Sequence, residues 1–222
     1  MPFADRTDAG RKLAMALLHY KGQPTVVLAL PRGGVPVAAQ VAEALDAPLD
    51  LILVRKIGVP MQPELAMGAV ADGTPPLIVR NEEVIQIAAI AETEFKAVCD
   101  VELAEIERRR ELYLSGRAPI DVNGRIAIVV DDGIATGATT RAALRATRAR
   151  KPKKLILAVP VAPTESLATM RTEVDQLVCL EDHEDFGAIG YYYEDFRQTS
   201  DQEVIDTLAR SAASADEIIP DE

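Results

Sequence analysis

Four short runs of almost uninterrupted apolar residues, rich in valine, isoleucine and leucine, recur along the chain. They lie at residues 26–30, 51–54, 126–130 and 155–161. Strands that are buried on both faces of a parallel sheet have this composition, because neither face meets water. Alanine-rich stretches with a helical pattern, at residues 35–45 and 139–150, follow the first and third runs. This alternation of strand and helix predicts an α/β protein with an open, doubly wound sheet.

Two further segments have a helical pattern. An amphipathic stretch at residues 1–18 predicts an opening helix. Residues 81–115 predict one long helix or a pair of helices, because Asn81 can cap the start, acidic residues follow it, and Gly116 can end the segment.

The last part of the chain is less regular. The stretch EDHEDFGAIGYYYEDF at residues 181–196 combines aromatic residues with two glycines, and we expect a small irregular pair of strands there. Thr199 or Ser200 then caps a terminal helix that reaches Arg210, and residues 212–222 are expected to fray.

Composition narrows the class of protein. The 222 residues are 48% hydrophobic, enough for one sizeable core, and no stretch approaches the roughly 20 apolar residues that cross a bilayer. The formal charge of −11 opposes binding to nucleic acid, whose phosphates are held by lysine and arginine. The start of the chain lacks the order of a signal peptide, and the two cysteines show no metal-ligand spacing. We therefore expect a cytoplasmic protein with no membrane or nucleic-acid partner.

The strongest functional signal is the sequence VVDDGIATGATT at residues 129–140. Asp131 and Asp132 follow a predicted strand, at the edge where open α/β sheets bind their ligands. The next residues are small or carry hydroxyls, so backbone N–H groups and threonines can enclose a phosphate at the start of a helix. Adjacent carboxylates would repel that anion, and they suit neutral hydroxyls such as those of a ribose. A plain strand-to-helix turn with a capping aspartate is the alternative.

This segment resembles the signature of the type I phosphoribosyltransferases, which bind phosphoribosyl pyrophosphate (PRPP). The resemblance covers about residues 26–196, with the motifs in the family's order, and is greatest to uncharacterised bacterial phosphoribosyltransferase-like proteins that carry RKIG and PELAMGAV loops. It implies one domain over residues 1–222, with an open, mainly parallel five-stranded sheet flanked by helices. It also implies a helical insertion at about residues 81–116 and a small C-terminal hood at about residues 176–198.

The resemblance assigns roles within the signature. Asp131 and Asp132 would bind the ribose and act as catalytic residues by favouring positive charge at its anomeric carbon. The residues that would bind the 5-phosphate are Gly133, Ile134, Ala135, Thr136, Gly137, Ala138 and Thr139.

The sequence LPRGG follows the first apolar run, where the family has its pyrophosphate-binding loop. By this match Pro31, Arg32, Gly33 and Gly34 would bind pyrophosphate. The glycines allow close approach of the backbone, and Arg32 offers a forked donor to phosphate oxygens. In the family this loop holds a non-proline cis peptide bond, which here would join Pro31 and Arg32. An ordinary strand-to-helix turn is the alternative.

Arg55 and Lys56 follow the second apolar run and precede IGVPMQPELAMGAV at residues 57–70, a proline-rich segment that we expect to be a mobile loop. It resembles the family's catalytic loop, which closes over PRPP and supplies cations to the departing pyrophosphate. Both residues would then bind pyrophosphate, with solvated strand-end charges as the alternative.

Hypoxanthine-guanine enzymes carry an aspartate where this chain has Ala135. Adenine enzymes also lack that aspartate, and in them a glutamate of the mobile loop lies near the base. The resemblance therefore makes Glu64, the only acid between Arg55 and Asp72, the candidate general acid or base, with a surface glutamate as the alternative.

The sequence DFGAIGYYYEDF resembles the stretch that covers the nucleobase in 6-oxopurine enzymes. By that match Phe186 and Ile189 would face the base, and Glu194 would contact an exocyclic amine. The match shifts by one residue between Phe186 and Ile189, and the three consecutive tyrosines could instead pack on the sheet edge. The sequence does not identify the base.

The resemblance implies displacement of pyrophosphate from C1 of PRPP by a nitrogen nucleophile of a small acceptor, a nucleobase. Mg²⁺ is the implied cofactor, held mainly by PRPP and water with no direct protein ligand. A homodimer is left open. One rival is a PRPP-binding regulator without catalysis, although the charge and the lack of a preceding helix-turn-helix segment oppose it. The other rival is an enzyme that acts on a different phosphorylated ribose.

Overall fold

A computed structural model of the protein describes residues 2–73 and 75–216. Its strands are β1 (Thr25–Ala29), β2 (Leu49–Leu51), β3 (Val54–Val59), β4 (Gln62–Ala71), β5 (Leu77–Arg80), β6 (Ile126–Val130), β7 (Lys154–Pro163) and β8 (Gln176–His183). Its α-helices are α1 (Arg6–Leu17), α2 (Gly34–Leu45), α3 (Glu82–Ile87), α4 (Glu92–Leu114), α5 (Ala138–Ala149), α6 (Thr164–Met170) and α7 (Asp201–Asp216). No helix within these described residues is long and apolar enough to span a membrane.

The main sheet has five parallel strands in the order β2-β1-β6-β7-β8, which confirms the predicted fold class. All five residues of β1 and all five of β6 are buried. Val27 and Ala29 pack in the cluster that includes α1, α2 and α7, whereas Val26 and Leu28 pack in the cluster that includes α5 and α6. The alternation arises because successive side chains of a strand point to opposite faces. Helices therefore cover both faces, as the uninterrupted apolar runs predict.

The predictions for residues 51–70 are partly wrong. The run at residues 51–54 is not one strand, because β2 ends at Leu51 and the chain enters a second sheet at β3. The expected loop at residues 57–70 is a hairpin of β3 and β4, and β5 completes an antiparallel sheet in the order β3-β4-β5. Ile57, Val59, Met67 and Val70 are buried. All four belong to one buried cluster with residues of the helical pair α3 and α4, and this apolar packing stabilises the strands in spite of the prolines.

The helical insertion follows the second of the two predicted forms, a pair of helices. Asn81 caps α3 by accepting a hydrogen bond from the Val84 amide at 3.3 Å. The longer helix α4 ends at Ser115, whose φ of 47° is left-handed, and Gly116 continues the turn with a φ of 77°. Glycine favours this conformation because it has no Cβ, so Gly116 marks the boundary as predicted.

The predicted irregular strand pair at residues 181–196 is wrong. Residues 176–183 form β8, the fifth strand of the main sheet, so the hood comprises residues 184–198 with a 3-10 helix at Ile189–Tyr192. Instead of pairing with each other, the residues of the hood pack against the N-terminal segment. Tyr193 forms an isolated bridge with Phe3, and their ring centroids are 5.4 Å apart. Aromatic contacts between parts of the chain that are distant in sequence are found in place of the predicted local strand pair.

The terminal helix α7 begins after Ser200, as predicted. The Ser200 amide donates to Glu203, and the Glu203 amide donates to the Ser200 hydroxyl, which together form a capping box. The helix continues to Asp216, so the predicted end at Arg210 is wrong. Residues 217–222 lie outside the described residues.

Candidate active site

The signature segment lies at the carboxyl end of β6, the central strand of the main sheet. After Asp131 and Asp132 the chain turns through residues 133–137 into α5. Ile134 is buried, and its amide donates to the Val161 carbonyl at 3.0 Å, so the middle of the loop is tied to β7. Ala135, Thr136, Ala138 and Thr139 are exposed. The loop therefore presents its small residues and two hydroxyls to solvent at the N-terminus of a three-turn helix.

Gly137 gives this loop its shape. Its φ of 75° is in the left-handed region, and a methyl group added there would overlap the side chain of Met170. Both conditions favour glycine, since other residues rarely adopt this backbone and have no room for their Cβ. The turn directs the first amides of α5 toward solvent, an arrangement that suits an anion.

The PRGG loop meets the signature segment directly. The Leu30 amide donates to the Val130 carbonyl at 2.9 Å, which joins the ends of β1 and β6. The peptide bond between Pro31 and Arg32 is cis, as the resemblance implies. A methyl group added to Gly33 would lie 2.6 Å from Cγ of Asp132 and closer still to its Oδ2. Glycine is required here because the backbone of one loop rests on the carboxylate of the other.

The two adjacent acids have different surroundings. Asp132 is 9% exposed, and its Oδ2 accepts a hydrogen bond from Nε of Arg6 at 2.7 Å. Its backbone carbonyl accepts the hydroxyl of Tyr193 at 2.6 Å. Burial raises the pKa of Asp131 well above the usual range of a carboxyl, and the neighbouring charge of Asp132 raises it further. Asp132 is thus neutralised by a cation, whereas Asp131 experiences the repulsion that an electropositive ligand would relieve.

The predicted pyrophosphate-binding cations each lie beside a carboxylate. Arg32 is 3.5 Å from Asp201 at the start of α7, which also accepts the Tyr113 hydroxyl at 2.5 Å. The Arg55 Nε donates to Glu102 of α4 at 2.7 Å. The start of α7 therefore helps to orient Arg32, and α4 helps to orient Arg55.

Lys56 and Glu64 face each other across the β3–β4 hairpin, with 3.0 Å between Nζ and Oε2. The side chain of Glu64 is 99% exposed, and Met61 at the turn is also exposed. This end of the hairpin projects into solvent, so the lysine and the glutamate are accessible to a ligand.

The three predicted base-binding residues have different surroundings in the structure. Ile189 lies over the signature loop, because a methyl group added to Gly133 would be 2.6 Å from its Cγ2. Phe186 stacks on Tyr192, with ring centroids 5.0 Å apart and planes 19° from parallel. Glu194 has an exposed side chain, and its amide donates to the Phe3 carbonyl at 2.8 Å. Of these three residues, Ile189 therefore lies against the signature loop.

Sequence reasoning missed Arg6. It belongs to the first turn of α1, and 126 positions separate it from Asp132. No local pattern identifies such a partner, because the contact exists only after the opening helix packs beside the sheet. A weak sequence pattern pointed to Tyr193 as a site residue, because it belongs to the run of three tyrosines at residues 191–193.

The acid pair would supply at most a small part of the ligands of a Mg²⁺ ion. Within residues 2–73 and 75–216, no group of three or more histidine, cysteine, aspartate or glutamate side chains is arranged to hold a metal ion. Mg²⁺ binds oxygen ligands, retains several waters and often takes only one or two carboxylates from a protein. Asp131 and Asp132 suit an ion that receives most of its ligands from a bound diphosphate and water.

Comparison with known proteins identifies the family. The model of the phosphoribosyl transferase domain matches residues 5–196. Two Mycobacterium tuberculosis proteins, from strains CDC 1551 and H37Rv, are each provisionally named a phosphoribosyl transferase. They are 47% identical over 209 residues, which cover 94% of this chain and 47% of theirs. The chain therefore spans about half the length of these relatives.

A solved structure agrees with this result. The crystal structure of the Thermus thermophilus protein TT1426 is similar to this chain with a TM-score of 0.82 and 37% identity. The similarity covers 95% of this chain and 99% of that protein. The chain belongs to the phosphoribosyl transferase domain family.

Proposed function

We propose that this chain transfers the 5-phosphoribosyl group of PRPP to a nitrogenous base and releases pyrophosphate. The observation that carries the proposal is the direct packing of the PRGG loop on the acid pair of the signature segment. Because both loops meet at the carboxyl end of adjacent strands, one ligand can touch both. PRPP has a phosphate, two hydroxyls and a diphosphate at separations that suit such a site.

The 5-phosphate would bind residues 133–139. Backbone amides at the start of α5 and the hydroxyls of Thr136 and Thr139 supply donors. The helix N-terminus adds partial positive charge, so the loop needs no lysine. Ala135, Thr136, Ala138 and Thr139 are exposed, so a phosphate can reach this part of the loop.

The ribose hydroxyls would donate hydrogen bonds to Asp131, with Asp132 completing the acid pair. During transfer the bond from C1 to the pyrophosphate oxygen breaks, and a bond from C1 to the acceptor nitrogen forms. The ribosyl group becomes electropositive in between. A carboxylate within hydrogen-bonding range of the ribose favours that charge, and its negative charge is most effective away from bulk water.

Pyrophosphate would be held by the PRGG loop together with Arg32 and Lys56, whereas Arg55, on the opposite face of β3 from Lys56, bonds to Glu102 of α4. The backbone at Gly33 and Gly34 allows close approach of the diphosphate, and the β3–β4 hairpin brings Lys56 from the side. Mg²⁺, when bound, would neutralise charge on the departing pyrophosphate. Closure of the hairpin would exclude water, which otherwise captures an electropositive ribosyl carbon.

The acceptor would bind under the hood. Ile189 offers an apolar surface beside the signature loop, Phe186 can contribute ring contacts, and Glu194 could accept from an amine of the base. The acceptor loses a proton on transfer, and Glu64 is the proposed general acid or base.

The Glu64→Gln variant distinguishes a role of Glu64 in proton transfer from a role in orienting Lys56. A fall in kcat supports proton transfer, and a change confined to the KM for PRPP supports orientation of Lys56.

Lys56→Gln is expected to raise the KM for PRPP about tenfold, because a charge-assisted hydrogen bond contributes roughly 1.5–3 kcal/mol and this one is partly solvated. Initial rates of pyrophosphate release measure the effect. Lys153→Gln is the control, because Lys153 lies before β7 and has no assigned role in the site. Equal KM values for Lys56→Gln and the wild type would remove Lys56 from the pyrophosphate site.

The proposed function is tested by pyrophosphate release from PRPP and Mg²⁺ with a panel of purine and pyrimidine bases. Release that depends on one class of base supports a transferase. Binding of PRPP without turnover favours the regulator. Turnover of another phosphorylated ribose in the absence of PRPP favours the remaining rival and contradicts the proposal.

A further inference from the structure

The N-terminal segment joins the hood to the acid pair. The Phe3 amide donates to the Tyr192 carbonyl at 2.8 Å, and the Asp195 amide donates to the Ala4 carbonyl at 3.0 Å. These bonds align residues 3–4 with the hood immediately before α1 begins. The first residue of α1 is Arg6, so the segment places the guanidinium of Arg6 at the interface between the hood and the main sheet.

Arg6 makes three contacts at that interface. Its Nε donates to Oδ2 of Asp132 at 2.7 Å, and one terminal nitrogen donates to the Arg197 carbonyl at 2.7 Å. Its guanidinium carbon lies 4.0 Å from the ring centroid of Phe196. The Arg6 and Asp132 side chains are each 12% exposed. A planar guanidinium suits this site because it can bond in two directions while its face rests on a ring.

We infer that Arg6 is a positioning residue, which acts through Asp132 to set the charge and orientation of the ribose-binding acids. The inference rests on the proposed function. Arg6 compensates the charge of Asp132, one of the two adjacent carboxylates, and leaves Asp131 as the acid that has no such cation bonded to it in the described structure. It also holds the Asp132 carboxylate against Gly33, which fixes the PRGG loop relative to the signature segment.

Without Arg6, the buried carboxylate of Asp132 would lose the guanidinium that now bonds to it, beside the partly buried carboxylate of Asp131. Adjacent like charges repel, and this repulsion would disturb the placement of both carboxylates against the ribosyl group. The Asp132 side chain would also be free to turn, and the pyrophosphate loop resting on it would shift. Both effects act on PRPP and not on the acceptor.

The test compares Arg6→Gln, which removes the charge, with Arg6→Lys, which keeps it. Arg11→Gln is the matched control, because Arg11 is exposed on α1 and its Nε donates to Gln40, away from the acid pair. Arg6→Gln is expected to lower kcat/KM for PRPP about 100-fold, because breaking a buried pair leaves its carboxylate uncompensated. The KM for the acceptor should be unchanged. Arg6→Lys should recover most of the loss.

A double-mutant cycle shows whether Arg6 acts through Asp132. Once Asp132→Asn has removed the carboxylate, Arg6→Gln should cause little further loss, because coupled residues are not additive. Losses that multiply in the double variant overturn the inference. So do equal kinetics for Arg6→Gln and Arg11→Gln. If turnover is absent and only binding is measurable, the same comparisons apply to the Kd for PRPP.

Should Arg6→Gln fail to unfold cooperatively on heating, Arg6→Lys decides the question. Kinetics near the wild type support the inference, and a loss as large as that of Asp132→Asn overturns it. A wild-type protein that binds no PRPP overturns the proposed function and this inference with it. An active wild type with a harmless Arg6→Gln change overturns the inference alone.

Discussion

Asp131→Asn is expected to lower kcat/KM for PRPP about 100- to 1,000-fold, the effect of losing one fixed electrostatic contact to a transition state. Asparagine keeps the size of the side chain and one acceptor oxygen but removes the negative charge. The charge is what favours an electropositive anomeric carbon, so kcat should fall more than affinity. Steady-state rates of pyrophosphate release measure both. Asp121→Asn is the control, because Asp121 is exposed and precedes β6, whereas Asp131 follows the other end of that strand.

The pH dependence of the wild type gives an independent check on Asp131. Burial and the charge of Asp132 raise the pKa of Asp131 in the free protein. The active form is the ionised one, so kcat/KM should fall on the acid side at a higher pH than for an exposed aspartate. Asp131 interacts electrostatically with Asp132, Arg6 and Tyr193, which are charged or titratable groups of the same site. An acid limb at the pH of an ordinary aspartate would contradict the assignment.

Gly33→Ala is expected to raise the KM for PRPP between tenfold and 100-fold, because forcing a methyl group into a packed contact costs about 1–3 kcal/mol. The added Cβ would overlap the Asp132 carboxylate, so either that side chain or the PRGG loop must move. Either movement separates the parts that the ribose and the diphosphate would bind. The measurement is the KM for PRPP together with the thermal unfolding midpoint.

Gly22→Ala is the matched control for Gly33→Ala. Gly22 precedes β1 with a φ of 76°, and a methyl group there would meet no described atom within 4 Å. Alanine at this φ should cost about 1 kcal/mol of stability through backbone strain while leaving the KM unchanged. If both variants lose stability and both keep their affinity for PRPP, the close approach at Gly33 does not serve the ligand.

The main sheet was predictable because its strands are buried on both faces. The run at residues 126–130 has the same bounds as β6, since only apolar residues suit the centre of a covered parallel sheet. The β3–β4 hairpin was not predicted. Gly58, Pro60 and Pro63 indicate a loop by local rules, whereas burial of Ile57 and Met67 in one apolar cluster stabilises two strands. Tertiary packing determined the structure there.

The site was predictable only in its local parts. A strand, two acids and a small-residue loop are consecutive, so the sequence places them together. The partners of those parts come from elsewhere in the chain, as Arg6 does for Asp132, Asp201 for Arg32 and Glu102 for Arg55. Such pairs have no sequence spacing to reveal them, because they depend on how α1, α4 and α7 pack around the sheet.

A crystal structure with PRPP and Mg²⁺ tests the central claim most directly. We expect the 5-phosphate within hydrogen-bonding distance of the amides at residues 135–139, and the ribose hydroxyls donating to Asp131. PRPP bound elsewhere, or a ribose oriented away from Asp131 at saturating concentration, would contradict the account.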